Sequence, residues 1–364
     1  MKRTNFYAQH MAAQAKMVEF AGFEMPIQYP KGIMHEHEVV RTGVGVFDVS
    51  HMGEFDVRGT GALAFLQQLT VNDVSKLVPG KAQYSAMCKP DGGIVDDLLV
   101  YMMSENHYMM VVNGACEEKD WNWAFENSKN FADCQLTNMS ADINLLAVQG
   151  PKSLETLQKL TSTNLSEIQY YGFAEGTLAG VDMILSRTGY TGEIGMEIYF
   201  RGGEDVAAAI WNAVFAAGEE FGIEPIGLAA RDTLRLEKGY CLYGNDIDET
   251  THPLEAGLGW ITKLAKGTFN GSDVIAKAKE QGVTRKLVGL VIGVEKFIAR
   301  HGYDIVHNGT TVGKVTSGNI APSLNKAIAL GYVPTELSAP GSMVEIAARG
   351  KTFPAEVVKI PFSA

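Results

Sequence analysis

The chain has 364 residues, with 31 basic and 42 acidic side chains and a formal net charge of −11; 46% of it is hydrophobic and 20% charged. This length predicts two or three domains and a core large enough to fold without disulfide or metal staples. The composition excludes disordered, collagen-like and coiled-coil chains, and an acidic balance with no long basic run argues against nucleic acid as a partner.

Residues 1–10 carry two positive charges with no apolar core behind them, so no signal peptide is expected. No stretch reaches the roughly 18 apolar residues of a membrane span, so no membrane partner is expected. Cys88, Cys116, Cys134 and Cys241 form no CxxC pair and no zinc spacing. That fits reduced thiols in a cytoplasmic protein, with no metal.

In chain order, apolar periodicity predicts helices over 60–70, 115–127, 151–160, 204–217 and 228–237. Strands are predicted over 46–49, 54–57, 83–88, 94–102, 108–112, 143–148, 182–186 and 196–200. Residues 276–286 read as a polar stretch. Short strands follow over 287–292, 303–306, 311–316, 328–333, 344–348 and 353–359, the pattern of a small β-barrel or sandwich. The fold class is therefore α+β, with a domain boundary near residue 280 that separates 1–280 from 281–364.

Three motifs imitate chemistry. Gly59-Thr60-Gly61 resembles a dinucleotide fingerprint but lacks the acidic residue about 20 positions on. His35 and His37 diverge on a helix, so 35–38 read as a solvated helix start. Asp48, Ser50 and His51 supply triad letters without a nucleophile elbow, and His51 is read as a buried, hydrogen-bonded residue at a strand end.

The segment 83–102 carries the strongest signal. Pro90-Asp91-Gly92-Gly93 marks a hairpin whose paired residue numbers should sum to 183, so that Tyr84 faces Leu99. Alternation then puts Val95, Asp97, Leu99 and Tyr101 on one face, and Asp96 on the other. An aspartate on an apolar face suits proton exchange with a weakly basic nitrogen; the alternative is a turn cap or ion pair. In 186–197, Gly189, Gly192 and Gly195 suggest a backbone that can approach a ligand, with Tyr190 at the apex and Glu197 on the next strand. On the helix over 228–237, Arg231 and Arg235 share a face, and Arg231 near the helix start needs a carboxylate or a polar ligand; an internal ion pair is the other reading.

The strings KMVEFAGFEMPIQY, GVGVFDVSHMGEF, KAQYSAM, DGGIVDDLLVY, NLLAVQGPKS, SRTGYTGEIGMEIY, IGLAARDTLRLEKGYCLYGNDIDE and VTSGNIAPSL resemble the aminomethyltransferase family, the T-proteins of the glycine cleavage system. The resemblance runs from about residue 3 to 361. It implies a three-lobed cloverleaf, two interleaved α+β lobes and a C-terminal barrel, around a central tetrahydrofolate channel. It implies transfer of a one-carbon unit from the aminomethyl-lipoyl arm of H-protein to tetrahydrofolate, a co-substrate, with release of ammonia and formation of 5,10-methylenetetrahydrofolate. By position, Asp97 matches the catalytic aspartate. Met52, Tyr84, Tyr101, Asn113, Tyr190, Glu197, Arg231 and Arg300 match residues of the folate site. The family usually has glycine where this chain has Ala229, and some members carry a tyrosine-bearing tail beyond the final Pro361-Phe362. A demethylase of the same folate-binding family and a non-catalytic folate-binding module are the alternative readings; the Asp97 and Glu197/Arg231 clusters favour an enzyme.

Overall fold

The computed structural model describes residues 1–294 and 297–363, so Ala364 of the tail lies outside the described residues. The chain begins with α1 (Tyr7–Ala12), β1 (Lys16–Phe20), β2 (Phe23–Gln28), α2 (Ile33–Thr42), β3 (Gly45–Asp48), β4 (Gly53–Arg58) and α3 (Ala62–Leu69). It continues through β5 (Lys81–Cys88), β6 (Ile94–Ser104), β7 (His107–Val112), α4 (Glu117–Ser128), β8 (Gln135–Asn138), β9 (Ile143–Gln149) and α5 (Ser153–Gln158). Then come β10 (Phe173–Leu178), β11 (Val181–Ser186), β12 (Gly195–Arg201), α6 (Glu204–Gly218), β13 (Glu224–Pro225), α7 (Leu228–Glu237) and α8 (Ser272–Gln281). The last strands are β14 (Arg285–Ile292), β15 (Asp304–His307), β16 (Thr310–Ala321), β17 (Lys326–Pro334), β18 (Met343–Ala348) and β19 (Lys351–Val358). The fold class is α+β, as the sequence predicts.

The chain divides into two compact units. The first comprises Met1–Leu66, Val74–Tyr84 and Leu98–Asp232; the second comprises Gln67–Asp73, Ser85–Asp97 and Thr233–Ala364.

The first unit is built on a six-stranded sheet, ordered β10-β11-β12-β9-β3-β13. A five-stranded sheet, ordered β5-β6-β7-β4-β8, also runs through it. Helix α6 places Ala207, Ile210, Trp211 and Val214 at i, i+3, i+4 and i+7, and all four are buried with Leu146 and Val148 of β9 and Ile198 and Phe200 of β12. Burying each large aliphatic contributes about 1.5–3 kcal/mol. Glu204 and Asp205 in the first turn of α6 complement its dipole.

The second unit holds a closed barrel, ordered β14-β17-β16-β15-β18-β19. Alternating residues such as Val288, Leu290 and Ile292 fill its core together with Ile305, Ile346 and Val357. Closure leaves no open sheet edge.

Three local expectations are corrected. The polar stretch 276–286 continues a helix, α8, as far as Gln281; the run is hydrophilic because little more than Ile275 and Ser272 is buried. The start of α2 is not solvated at Glu36 and His37, each 1% exposed. Glu36 accepts hydrogen bonds from the Tyr29 and Gly227 amides, which draws it inward. At the β5–β6 turn, Lys89 N donates to Gly93 O at 2.8 Å and Gly92 N to Lys89 O at 2.9 Å. Lys89 and Gly93 therefore pair at the turn, a sum of 182 where 183 was expected. Gly92, at φ +88°, is the left-handed residue that adds the bulge.

One ion pair anchors the second unit. Arg235, 1% exposed, donates to Asp246 Oδ2 at 2.7 Å, to Tyr240 O at 2.9 Å and to Ser317 Oγ at 2.8 Å. Asp246 also accepts from Leu242 N at 2.9 Å and Thr316 Oγ1 at 2.5 Å. A buried pair is tolerated when its remaining hydrogen-bonding positions are filled in this way. Asp246→Ala is expected to destabilise the protein by about 3–5 kcal/mol, because it strands the guanidinium. Urea unfolding checks this; a loss under 1 kcal/mol would contradict it.

Candidate active site

The site grows from one face of the five-stranded sheet in the first unit. Regular alternation puts Leu99 and Tyr101 of β6 on that face. Tyr101 is fully buried. Its hydroxyl lies 3.0 Å from Ser186 Oγ, 3.3 Å from Thr188 Oγ1 and 3.1 Å from the Tyr199 hydroxyl. Ser186 on β11 pairs directly with Glu197 on β12, so these hydroxyls surround one carboxylate. Thr188 donates a short hydrogen bond to Glu197 Oε2, and Tyr199 approaches the same oxygen at 3.5 Å.

Burial pushes the Glu197 carboxyl above its ordinary range, while Thr188, the Arg231 charge and Tyr199 pull it back. Burial also pushes the Tyr101 and Tyr199 phenols well up, so both remain neutral donors. Arg231 sits in the first turn of α7, where the helix dipole opposes a cation. Two things offset this. Its guanidinium carbon lies 4.5 Å from the centroid of the Tyr190 ring, and its charge is felt by Glu197. The site thus offers a carboxylate, a guanidinium and an aromatic face.

The glycine-rich loop serves a different purpose from the one expected. A Cβ at Gly189 or Gly195 would overlap the side chain of Gln149, so both glycines make room for a glutamine of β9 and not for a ligand. Gln149 Nε2 donates to Thr188 O at 3.2 Å, and Gln149 Oε1 accepts from Thr191 Oγ1 at 2.9 Å. Arg41 clamps the far end of the loop, donating to Thr191 O at 2.7 Å and Glu193 Oε1 at 2.9 Å. The loop that carries Thr188 and Tyr190 is therefore set from behind.

The β3–β4 turn, which carries His51 and Met52, is pinned by Asp48. This residue accepts from Thr4 Oγ1 at 2.6 Å, from Ser50 N at 3.0 Å and from His10 Nε2 at 2.9 Å. His10 Nδ1 in turn meets the Tyr29 hydroxyl at 2.9 Å. His51 is 2% exposed and lies edge-on to Phe20, with centroids 5.2 Å apart. Its Nδ1 has no hydrogen-bond partner among the described residues, contrary to the expectation of a hydrogen-bonded ring. Burial and then the Arg231 charge push its pKa down to about 4, against a smaller pull from Asp48.

Of the residues expected at the site, Met52, Tyr84, Tyr101, Asn113, Tyr190, Glu197 and Arg231 belong to the first unit, and Asp97 and Arg300 to the second. Met52, Tyr84, Asn113, Tyr190, Glu197 and Arg231 are half-buried, as is Asp97, while Arg300 is exposed. Within its unit Asp97 is felt by Cys241, whose thiol is pushed up by burial, by Asp246 and by Asp97. Sequence reasoning missed Ser186, Thr188, Tyr199 and Gln149. Strand pairing of 182–186 with 196–200 could have suggested Ser186 opposite Glu197; nothing local marks Gln149.

The family model described as the GCVT N-terminal domain matches residues 6–266. The glycine cleavage T-protein C-terminal barrel domain matches residues 285–363. The chain is 55% identical to the aminomethyltransferase of Flavobacterium psychrophilum over 364 residues, covering 100% of this chain and 99% of that one. It is 49% identical to that of Halothermothrix orenii, covering 100% of both. A crystal structure of the glycine cleavage system aminomethyltransferase T from Bartonella henselae superimposes with a TM-score of 0.92 at 33% identity, covering 99% of this chain and 98% of that one. The matched family model and relatives define a folate-dependent one-carbon transferase. The chain belongs to the aminomethyltransferase family, the T-proteins of the glycine cleavage system.

The depressed His51 pKa has a sign that can be tested. The unfolded histidine, near 6.5, binds protons that the folded one refuses until about pH 4. Stability present above pH 6.5 is therefore lost as pH falls through that window. His51→Gln is expected to remove about 1–2 kcal/mol of the drop between pH 6.5 and 5, read by urea unfolding at both pH values. An unchanged slope would show that His51 titrates normally.

Proposed function

We propose that the chain takes the aminomethyl group carried by the lipoyl arm of H-protein and transfers its one-carbon unit to tetrahydrofolate. The C–S and C–N bonds of the aminomethyl group break, ammonia and the reduced, dithiol form of the lipoyl arm are released, and 5,10-methylenetetrahydrofolate is formed. The observation that carries this reading is the Glu197 carboxylate, fixed by Thr188 and Tyr199, in the same cluster as an Arg231 guanidinium stacked on Tyr190. A folate ring presents N–H donors beside acceptors on a flat aromatic body, and this set of groups complements it.

Bound folate supplies the nitrogens that accept the one-carbon unit. The chain's part is to hold that acceptor in reach of the carbon and to manage protons. Asp97 is the proposed catalytic group. It orients the folate amine and takes or steers its proton. Its support is its place in DGGIVDDLLVY and its half-buried position on β6, alternating with Leu99 and Tyr101. Tyr84, Asn113 and Met52 are proposed as apolar and polar walls of the folate site, and Arg300 as a cation near its entrance. No helix among the described residues is long and apolar enough to cross a membrane. The four cysteines are unbridged, which supports a cytoplasmic setting.

The test is to incubate the protein with aminomethylated H-protein and tetrahydrofolate and to assay methylenetetrahydrofolate and ammonia. Production of both supports the reading. Production of neither, by folded protein with both substrates present, would overturn it. Asp97→Asn is expected to lower kcat about 10²–10⁴-fold while leaving folate affinity within about tenfold. Unchanged turnover would remove Asp97 from the chemistry.

A further inference from the structure

Strand β4 carries a carboxyl that the fold does not use. Glu54 is 1% exposed, and neither side-chain oxygen has a hydrogen-bond partner among the described residues. Its main chain is fully engaged: Glu54 N donates to Ser140 Oγ at 2.9 Å, and Glu54 O accepts from Met139 N at 2.9 Å. The next carboxyl on the same face, Asp56, is satisfied by Arg58 at 2.6 Å and His107 at 2.6 Å. Glu54 stands apart from Asp56, the other acidic group of the strand.

The register fixes where its side chain points. Glu54 lies opposite Val111 of β7, and Val111 lies opposite Leu99 of β6. Directly paired residues project from the same face of an antiparallel sheet. Glu54 therefore projects from the face that carries Leu99 and Tyr101. From that face the Tyr101 hydroxyl reaches Ser186, Thr188 and Tyr199, the groups that surround Glu197. The charged groups felt by Glu54 are Glu117 of α4 and Glu197 of β12, and Tyr199 of β12 feels Glu54 in turn.

An ionised carboxylate in this place would cost several kcal/mol. Burial, reinforced by the two neighbouring glutamates, pushes the Glu54 carboxyl well above its ordinary range. Burial with no donor or cation against either oxygen favours the neutral acid, which has one O–H donor and one carbonyl acceptor. Neither is answered among the described residues, although an unanswered buried polar group is costly. A donor beside an acceptor is the complement of an amide or aminopyrimidine edge.

We propose that Glu54 is a substrate-binding residue of the folate site, its carboxyl hydrogen-bonding the polar edge of the folate ring held beside Glu197. This rests on the folate reading above and extends it to a residue of β4.

The experiment compares wild type with Glu54→Leu and Glu54→Gln. Tetrahydrofolate Kd is measured by calorimetry, KM for each substrate by steady-state assay, and Tm by calorimetric unfolding. Glu54→Leu is expected to raise folate Kd and KM at least tenfold, to leave KM for aminomethylated H-protein within twofold, and to keep or raise Tm. Glu54→Gln, which keeps a donor and an acceptor, is expected to restore folate Kd to within threefold of wild type. Should the leucine variant fail to fold, Glu54→Met carries the same test. Folate binding by Glu54→Leu within twofold of wild type would overturn the inference and leave the folate reading standing, as would glutamine and leucine variants that are equally impaired. Wild-type protein that is folded but binds no tetrahydrofolate would overturn both.

Discussion

The Tyr101 hydroxyl joins the five-stranded and six-stranded sheets of the first unit. It is buried, and it shares hydrogen bonds with Ser186, Thr188 and Tyr199. Each bond alone contributes only about 0.5–1.5 kcal/mol. As a set they fix where Thr188 and Tyr199 stand, and these two fix Glu197. A phenol could not do this if it ionised, and burial holds both tyrosines in the neutral form. The acidic side of the site is therefore positioned by uncharged donors, and Arg231 brings in the opposing charge from a separate helix.

Much of the fold was readable because its elements have strong periods. Helix α6 spaces its apolar residues for one buried face, and the barrel strands alternate between glycine-marked turns. The weakly patterned elements escaped. Strand β10 reads FAEGTL, with a glycine in its middle and Glu175 and Thr177 exposed, and β2 contains Pro26. Neither resembles a strand until its partner is known. Helix α8 escaped because Ile275 is its one buried large apolar residue, followed by Lys277, Lys279 and Glu280, and so short a stripe is hard to detect.

The site was partly legible for a related reason. Charged or aromatic residues in odd places, such as Asp97, Tyr190, Glu197 and Arg231, stand out in one dimension. Residues that support them do not. Gln149 ends an ordinary buried strand, yet it occupies the space left by Gly189 and Gly195, far along the sequence. Its role depends on tertiary packing alone. Along the sequence Glu54 marks only the start of a strand, because it takes the register across three strands to turn it toward the Tyr101 face.

The way the chain is shared between the two units bears on its synthesis. Every segment of the first unit has emerged from the ribosome once Asp232 is out, whereas the second still lacks everything after that point. The Ser85–Asp97 hairpin tip must then remain without most of its own unit while more than a third of the polypeptide is still being made. Vectorial folding should complete the Glu197 network early and leave the barrel, with the buried Arg235–Asp246 pair, to close last.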